Sequence, residues 1–199
     1  EVVKQPEHEV TIAVAGKYIE LHDAYKSIYE SLSHAGIANR CKGSLKKVSA
    51  EQVADEGAEK HLAGVDGILV PGGFGERGFE GKIASIAYAR EHKIPFLGIC
   101  YGMQAAVVQF ARSELGLTDA TTTEYDPNAK NPVISLMEEQ KRTNDKGGTM
   151  RLGSRRTVLS GPQCKTARLF GGVTAFDERH RHRYEVNIDY VKKLEDKGM

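Results

Sequence analysis

Up to about residue 120, the chain alternates between two rhythms of apolar positions. Segment 9–18, "EVTIAVAGKY", reads as a strand ending at Gly16. In 23–36, Tyr25, Ile28, Tyr29 and Leu32 fall at helical spacing, with Asp23 placed to cap the helix and Gly36 to stop it. A weak strand is predicted at 44–48, and Ser49 and Gln52 stand at capping-box spacing at the head of a helix over 49–62. Segment 67–70 is a strand running into a glycine-rich turn, 80–93 a helix, and 95–100 a strand followed by a helix-prone stretch. The order predicts an α/β fold, an open, mainly parallel twisted sheet with helices on both faces. The uninterrupted run Ile68-Leu69-Val70 suits a strand buried on both sides. Further on the rhythm changes. Segment 121–132 reads as a loop, 132–137 and 149–159 as strands, 141–148 as an exposed loop and 188–199 as a short helix. With no repeat, low-complexity tract or linker, one domain over 1–199 is expected.

Composition narrows the classes. Lys and Arg number 28 against 27 Asp and Glu, a net charge of +1, so no general basic field exists for nucleic acid. A 40% hydrophobic content suits a soluble globular protein, no apolar run approaches a membrane span, and "EVVKQPEHEV" is no signal peptide. Cys41, Cys100 and Cys164 are odd in number and widely spaced, which argues against a disulfide framework or zinc ribbon and for a reducing, cytoplasmic setting. A chain starting without Met is expected to be a piece of a longer or processed protein.

The chemistry concentrates at "PFLGICYGMQ", 95–104. Gly98-x-Cys100-x-Gly102 between a strand and a helix is the layout of a nucleophile elbow, a tight turn whose neighbours must lack side chains. It projects the thiol beyond the strand's carboxyl end, where open α/β sheets bind ligands. The next helix aims its amides and positive dipole end at the sulfur, which favours thiolate, and the Tyr101 N–H is placed to stabilise an oxyanion. The plainer alternative is a buried core cysteine with glycines for close packing.

A second constellation is "PGGFGERG", 71–78. Gly73-x-Gly75-x-x-Gly78 formally matches a dinucleotide fingerprint, which leaves a nucleotide-dependent dehydrogenase as one reading. The match follows the third strand rather than the first, and no acidic residue stands about 20 residues on to hold a ribose. The turn has another use: it brings a backbone amide such as that of Gly73 beside the Cys100 elbow as a second oxyanion donor.

Taken together, "VPGGFG" and "GICYGMQ" resemble the class I (triad) glutamine amidotransferases. "GKYIELHDAYKSIYESLSHAG", "GGTMRLG" (147–153) and "ERHRHRYEVN" (178–187) narrow the resemblance to the glutaminase domains of the CTP synthase family, from about residue 9 to the end. That resemblance implies hydrolysis of L-glutamine through a cysteinyl thioester, with ammonia passing to an N-terminal amidoligase domain that uses ATP and Mg to convert UTP to CTP. It implies no cofactor or metal in this domain, and a homotetramer of full-length chains. By resemblance, Cys100 is the nucleophile, and the Gly73 amide helps hold the oxyanion. Tyr101, Gly102, Met103 and Gln104 match the run beside the substrate, Glu124 the partner of the α-ammonium, and Arg183 that of the α-carboxylate. A free amino acid carries one charge of each sign, and these types supply a partner for each.

Two positions depart from the family. Tyr101 replaces the usual Leu, which leaves its amide in place and brings a ring to bear on the pocket's shape. The family's general base is a histidine of a His-Pro-Glu motif, absent from these 199 residues, so the chain is expected to lack the natural C-terminal part and to be nearly inactive alone. His180 and His182 are the substitutes to weigh, as a base or as a metal pair, but Arg179, Arg181 and Arg183 interleave with them and repel a cation. A structural or substrate-contact role fits them better. The alternative function is a catalytically silent glutamine-binding or scaffold domain.

Overall fold

In the computed structural model, which describes residues 6–136 and 151–199, β1 (His8–Gly16) is an inner strand of a four-stranded sheet of order β2-β1-β3-β4. β2 is Cys41–Ser49, β3 Gly67–Val70 and β4 Phe96–Gly98. All three pairings are parallel, with Val14 opposite both Lys47 and Leu69, and Val70 opposite Gly98. Parallel neighbours need crossovers. α1 (Lys26–Ala38) links β1 to β2, α2 (Ala50–Glu56) and α3 (Ala58–Leu62) link β2 to β3, and α4 (Phe79–Glu91) links β3 to β4. α5 (Tyr101–Glu114) follows β4. Consecutive Ala13, Val14 and Ala15 are all fully buried, so both faces of the sheet are covered, as the apolar strands predict.

Several boundaries differ from the sequence reading for identifiable reasons. Asp23 lies inside a 3-10 turn (His22–Tyr25), and α1 starts only at Lys26, after an N-cap without a side-chain hydrogen bond. Gly36 does not stop α1, which runs on to Ala38. A methyl built on Gly36 would lie 3.0 Å from the Cys41 carbonyl oxygen, so this glycine serves a close approach to β2. The weak strand extends to nine residues because pairing with β1 overrides its polar composition. Segment 49–62 is two helices, broken at Gly57 with φ 91°. Ser49 caps the first by accepting from the Gln52 N–H at 3.4 Å, as its spacing predicts.

Residues 6–135 and 186–199 belong to one compact unit, and Leu136 with 151–185 to another. The first adds β5 (Ala120–Thr122), paired parallel with β6 (Asn131–Leu136), and α6 (Ile188–Asp196), capped by the Asn187 side chain. In the second, β7 (Arg151–Val158) pairs antiparallel with β8 (Ala175–His182), with a short helix, Lys165–Leu169, between them in the chain; β9 (Tyr184–Val186) begins in the second unit and ends in the first. β8 carries "ERHRH", which has no apolar alternation to announce a strand. The loop expected over 141–148, and part of the motif at 147–153, lie outside the described residues.

α4 reaches the sheet by passing close to the start of α2. A methyl on Gly81 would stand 1.6 Å from the Ala50 carbonyl oxygen, a backbone-on-backbone contact with no side chain to give way. Gly81→Ala is expected to destabilise the fold by about 3 kcal/mol, the upper end of overpacking costs. Urea denaturation checks this; an unchanged midpoint would mean that α4 is free to move off α2.

Candidate active site

β4 ends at Gly98 and α5 begins at Tyr101, so Ile99 and Cys100 make the whole connection. Cys100 adopts φ 52° and ψ −105°, a region that side-chain-bearing residues rarely visit, at a cost of about 1–3 kcal/mol. Backbone hydrogen bonds hold it there. The Ile99 N–H donates to the Val70 carbonyl at 3.0 Å, the Gly102 N–H to Ile99 at 2.9 Å, and the Gln104 N–H to Cys100 at 3.1 Å. The flanking glycines are steric necessities. A methyl on Gly98 would meet the Gly102 carbonyl at 2.6 Å, and one on Gly102 would meet the Val70 oxygen at 2.0 Å. The Gly98-x-Cys100-x-Gly102 spacing therefore encodes a strained turn, and it leaves Cys100 with exposed surface.

The glycine turn after β3 lies alongside. A methyl built on Gly72 would be 3.6 Å from the Cys100 Cβ, and one on Gly73 would be 3.8 Å from the Tyr101 ring and 3.5 Å from the Lys82 Nζ. Gly75, at φ 76°, is gripped at both ends of its backbone. Its N–H donates to Glu124 Oε1 at 3.1 Å, and its carbonyl accepts from the Tyr101 hydroxyl at 2.6 Å and the Tyr125 hydroxyl at 3.4 Å. Phe79 packs on both phenol rings, with centroids 5.6 Å from Tyr101 and 4.9 Å from Tyr125. The Tyr101 ring is thus buried, with its hydroxyl on the turn; it acts on the turn's position. Gln104 is buried, whereas Met103 is 41% exposed.

Two titratable groups carry the electrostatics. The Cys100 thiol is pushed above its ordinary value, first by partial burial and then by the Glu124 carboxylate. Desolvation and a like charge both disfavour the anion and so oppose the pull of the α5 dipole toward thiolate. Lys82, 1% exposed, is lowered to about 8 by burial first and by Lys17 second, with Glu124 pulling the other way. Its Nζ lies 4.3 Å from the Tyr101 ring centroid, and it makes no ion pair among the described residues. No motif in the sequence marks Lys82 or Tyr125. A signal for Lys82 existed, because it shares a helical stripe with the buried Phe79, Ile86 and Ala89.

Cys100, Gly73, Tyr101, Gly102, Met103, Gln104 and Glu124 all lie in the unit built on the parallel sheet, whereas Arg183 belongs to the other. Its Nε is buried without a hydrogen-bond partner among the described residues. His180 Nδ1 and His182 Nε2 are 3.0 Å apart, and His182 Nδ1 is 3.1 Å from the Tyr184 carbonyl. The carbonyl only accepts, so a neutral His182 donates through Nδ1 and receives the His180 N–H on Nε2. That is a structural chain. Among the described residues no group of three or more His, Cys, Asp or Glu is arranged to hold a metal, and no helix is long and apolar enough to cross a membrane.

A strained cysteine elbow beside a glycine turn, on a parallel sheet, defines a class of enzyme domain, and comparison with known proteins agrees. Residues 20–198 match the family described as glutamine amidotransferase class-I, and the chain belongs to that family. Within it, the chain is 52% identical over 204 residues to the CTP synthase of Caldanaerobacter subterraneus subsp. tengcongensis, covering 98% of this chain and 36% of that protein. It is 53% identical over 203 residues to the CTP synthase of Deinococcus radiodurans, covering 99% and 37%. Among solved structures, the CTPS glutaminase domain of Trypanosoma brucei with bound acivicin superposes with a TM-score of 0.86 at 36% identity, covering 95% of this chain and 72% of that one. The chain spans about a third of the length of the curated relatives it matches.

Because Glu124 helps hold the Cys100 thiol up, Glu124→Gln is expected to lower the pH at which Cys100 becomes reactive. The pH dependence of iodoacetamide labelling, read by peptide mapping, checks this. An unmoved profile would remove Glu124 from the electrostatics of the thiol.

Proposed function

We propose that this chain is the glutaminase portion of a longer CTP synthase, in which hydrolysis of L-glutamine at Cys100 supplies ammonia for the ATP-dependent amination of UTP. The observation that carries the reading is the strained Cys100 between Gly98 and Gly102, with the Gly72–Gly73 backbone alongside. The Cys100 sulfur attacks the carboxamide carbon of glutamine, and the carbonyl oxygen becomes an oxyanion held by the Gly73 and Tyr101 amides. The C–N bond breaks, ammonia leaves, and a γ-glutamyl thioester remains; water then cleaves it to glutamate and the free thiol. Because Cys100 rests as a thiol, its proton must leave as the C–S bond forms, which calls for a general base. In this reading the base is the family's histidine, supplied from outside these 199 residues; it passes the thiol proton to the departing nitrogen, which leaves as ammonia, then takes a proton from the attacking water and returns it to the sulfur.

Glu124 takes the substrate's α-ammonium on the oxygen not engaged by Gly75, and the family resemblance gives the α-carboxylate to Arg183. Gly102, Met103 and Gln104 line the substrate's side of the elbow. ATP and Mg belong to an N-terminal amidoligase domain of the same chain, and the full-length protein assembles as a cytoplasmic homotetramer. The 36% share of the relative's length that the chain covers supports a further domain. A second reading, a silent glutamine-binding domain, draws on the raised Cys100 thiol.

In the full-length protein, Cys100→Ala is expected to abolish glutamine-dependent CTP formation while ammonia-dependent formation persists, since ammonia enters after the thioester chemistry. Glutamate release at a normal rate by this variant would overturn the reading, and no release by the unmodified full-length protein would establish the silent domain instead.

Glu124→Ala and Arg183→Ala should each raise the KM for glutamine, with a loss in kcat/KM on the order of 2–4 kcal/mol for a charge-assisted contact. Steady-state kinetics with glutamine varied would reveal it; unchanged constants in both would take the pair out of the site.

A further inference from the structure

Lys82 is the buried charge that the chemistry above leaves unused. We propose that it is a positioning residue for the oxyanion turn: its ammonium, held beside Gly73 and against the Tyr101 ring, keeps in place the hydroxyl that fixes Gly75. The proposal rests on the glutaminase reading of Cys100.

A lysine that is 1% exposed and makes no ion pair among the described residues carries its charge against a desolvation cost. Desolvation opposes the ammonium, and a methionine of similar length would fill the space without that penalty. Besides the pull of the Glu124 carboxylate, the charge meets the face of the Tyr101 ring 4.3 Å away. That ring is joined at its far end to the Gly75 carbonyl at 2.6 Å, and the same turn carries Gly73, whose added methyl would sit 3.5 Å from Nζ. Lys82, Tyr101 and Gly75 therefore form a continuous brace from α4 through α5 to the turn that presents the Gly73 amide. The charges that bear on Lys82 are Lys17, in the segment after β1, and Glu124, after β5; they act in opposite directions. A turn that must hold its amide toward a developing oxyanion benefits from a brace that does not reorganise during the reaction.

The brace holds its charge below about pH 8 and loses it above. Three variants of the full-length enzyme test it: Lys82→Met, Lys82→Arg and Tyr101→Phe. For the parent enzyme, kcat for glutamine hydrolysis should fall as pH rises through about 8. Lys82→Met should lower kcat about tenfold, the scale of a buried cation–π contact, with KM moving less than about twofold, and should lack that limb. Its thermal midpoint at pH 7 should be equal or higher, because a desolvated charge is gone. Lys82→Arg should keep activity above pH 8. Tyr101→Phe should lower kcat similarly, and the double variant should be no worse than the poorer single one. A wild-type kcat and pH profile in Lys82→Met overturns the proposal, as does a loss that tracks a lowered thermal midpoint. Additive effects of Lys82→Met and Tyr101→Phe overturn the link through the ring. Tyr101→Phe carries the test if Lys82→Met does not fold. Should Cys100→Ala still release glutamate, the Cys100 reading itself has failed; if it does not, and Lys82→Met is normal, only the brace has.

Discussion

The first turn of α5 lies so close to the end of β3 that one methyl group on Gly102 would strike the Val70 carbonyl oxygen. That approach leaves only Ile99 and Cys100 to turn the chain from β4 into α5, and two residues suffice only if Cys100 takes a left-handed φ. The sulfur is thereby displayed at the carboxyl edge of the sheet, and the next residue, Tyr101, is driven beneath the neighbouring glycine turn. The nucleophile, the turn and their aromatic support are thus consequences of one backbone contact, stabilised by the parallel register of β1, β3 and β4.

The electrostatic balance follows from the same crowding. A helix N-terminus favours an anion by a fraction of a kcal/mol to about 2 kcal/mol. At Cys100, partial burial and the nearby Glu124 carboxylate press the other way. The site therefore holds its sulfur as a thiol until a base removes the proton, which couples nucleophile activation to a correctly placed partner.

Much of the scaffold was legible because its strands are short apolar runs and its helices repeat at the right period; β3, α4 and β4 lie close to where their patterns place them. The elbow was legible for a different reason: glycine spacing records sterics directly. Gly36 misled, because a glycine required by close approach looks in sequence like one that ends a helix. β8 was invisible, since the charged and imidazole run from Asp177 to His182 carries no sign of burial, and only its pairing with β7 makes it a strand. Lys82 was overlooked because a lysine in a helix is normally counted as solvent-facing, and only the stripe it shares with Phe79 and Ile86 says otherwise. The fate of the Tyr101 ring depended on the turn above it, and no local pattern holds that information.

The aromatic trio under the turn has a spectroscopic consequence. The chain holds eight tyrosines and no tryptophan, so its near-ultraviolet absorption and emission come chiefly from phenols. Two of those phenols, buried Tyr101 and half-buried Tyr125, donate to the same Gly75 carbonyl and pack on Phe79, in an asymmetric environment. Such chromophores dominate near-ultraviolet circular dichroism, whereas exposed, freely rotating rings contribute little. The protein thus carries a built-in optical gauge of its own glycine turn, readable without a label.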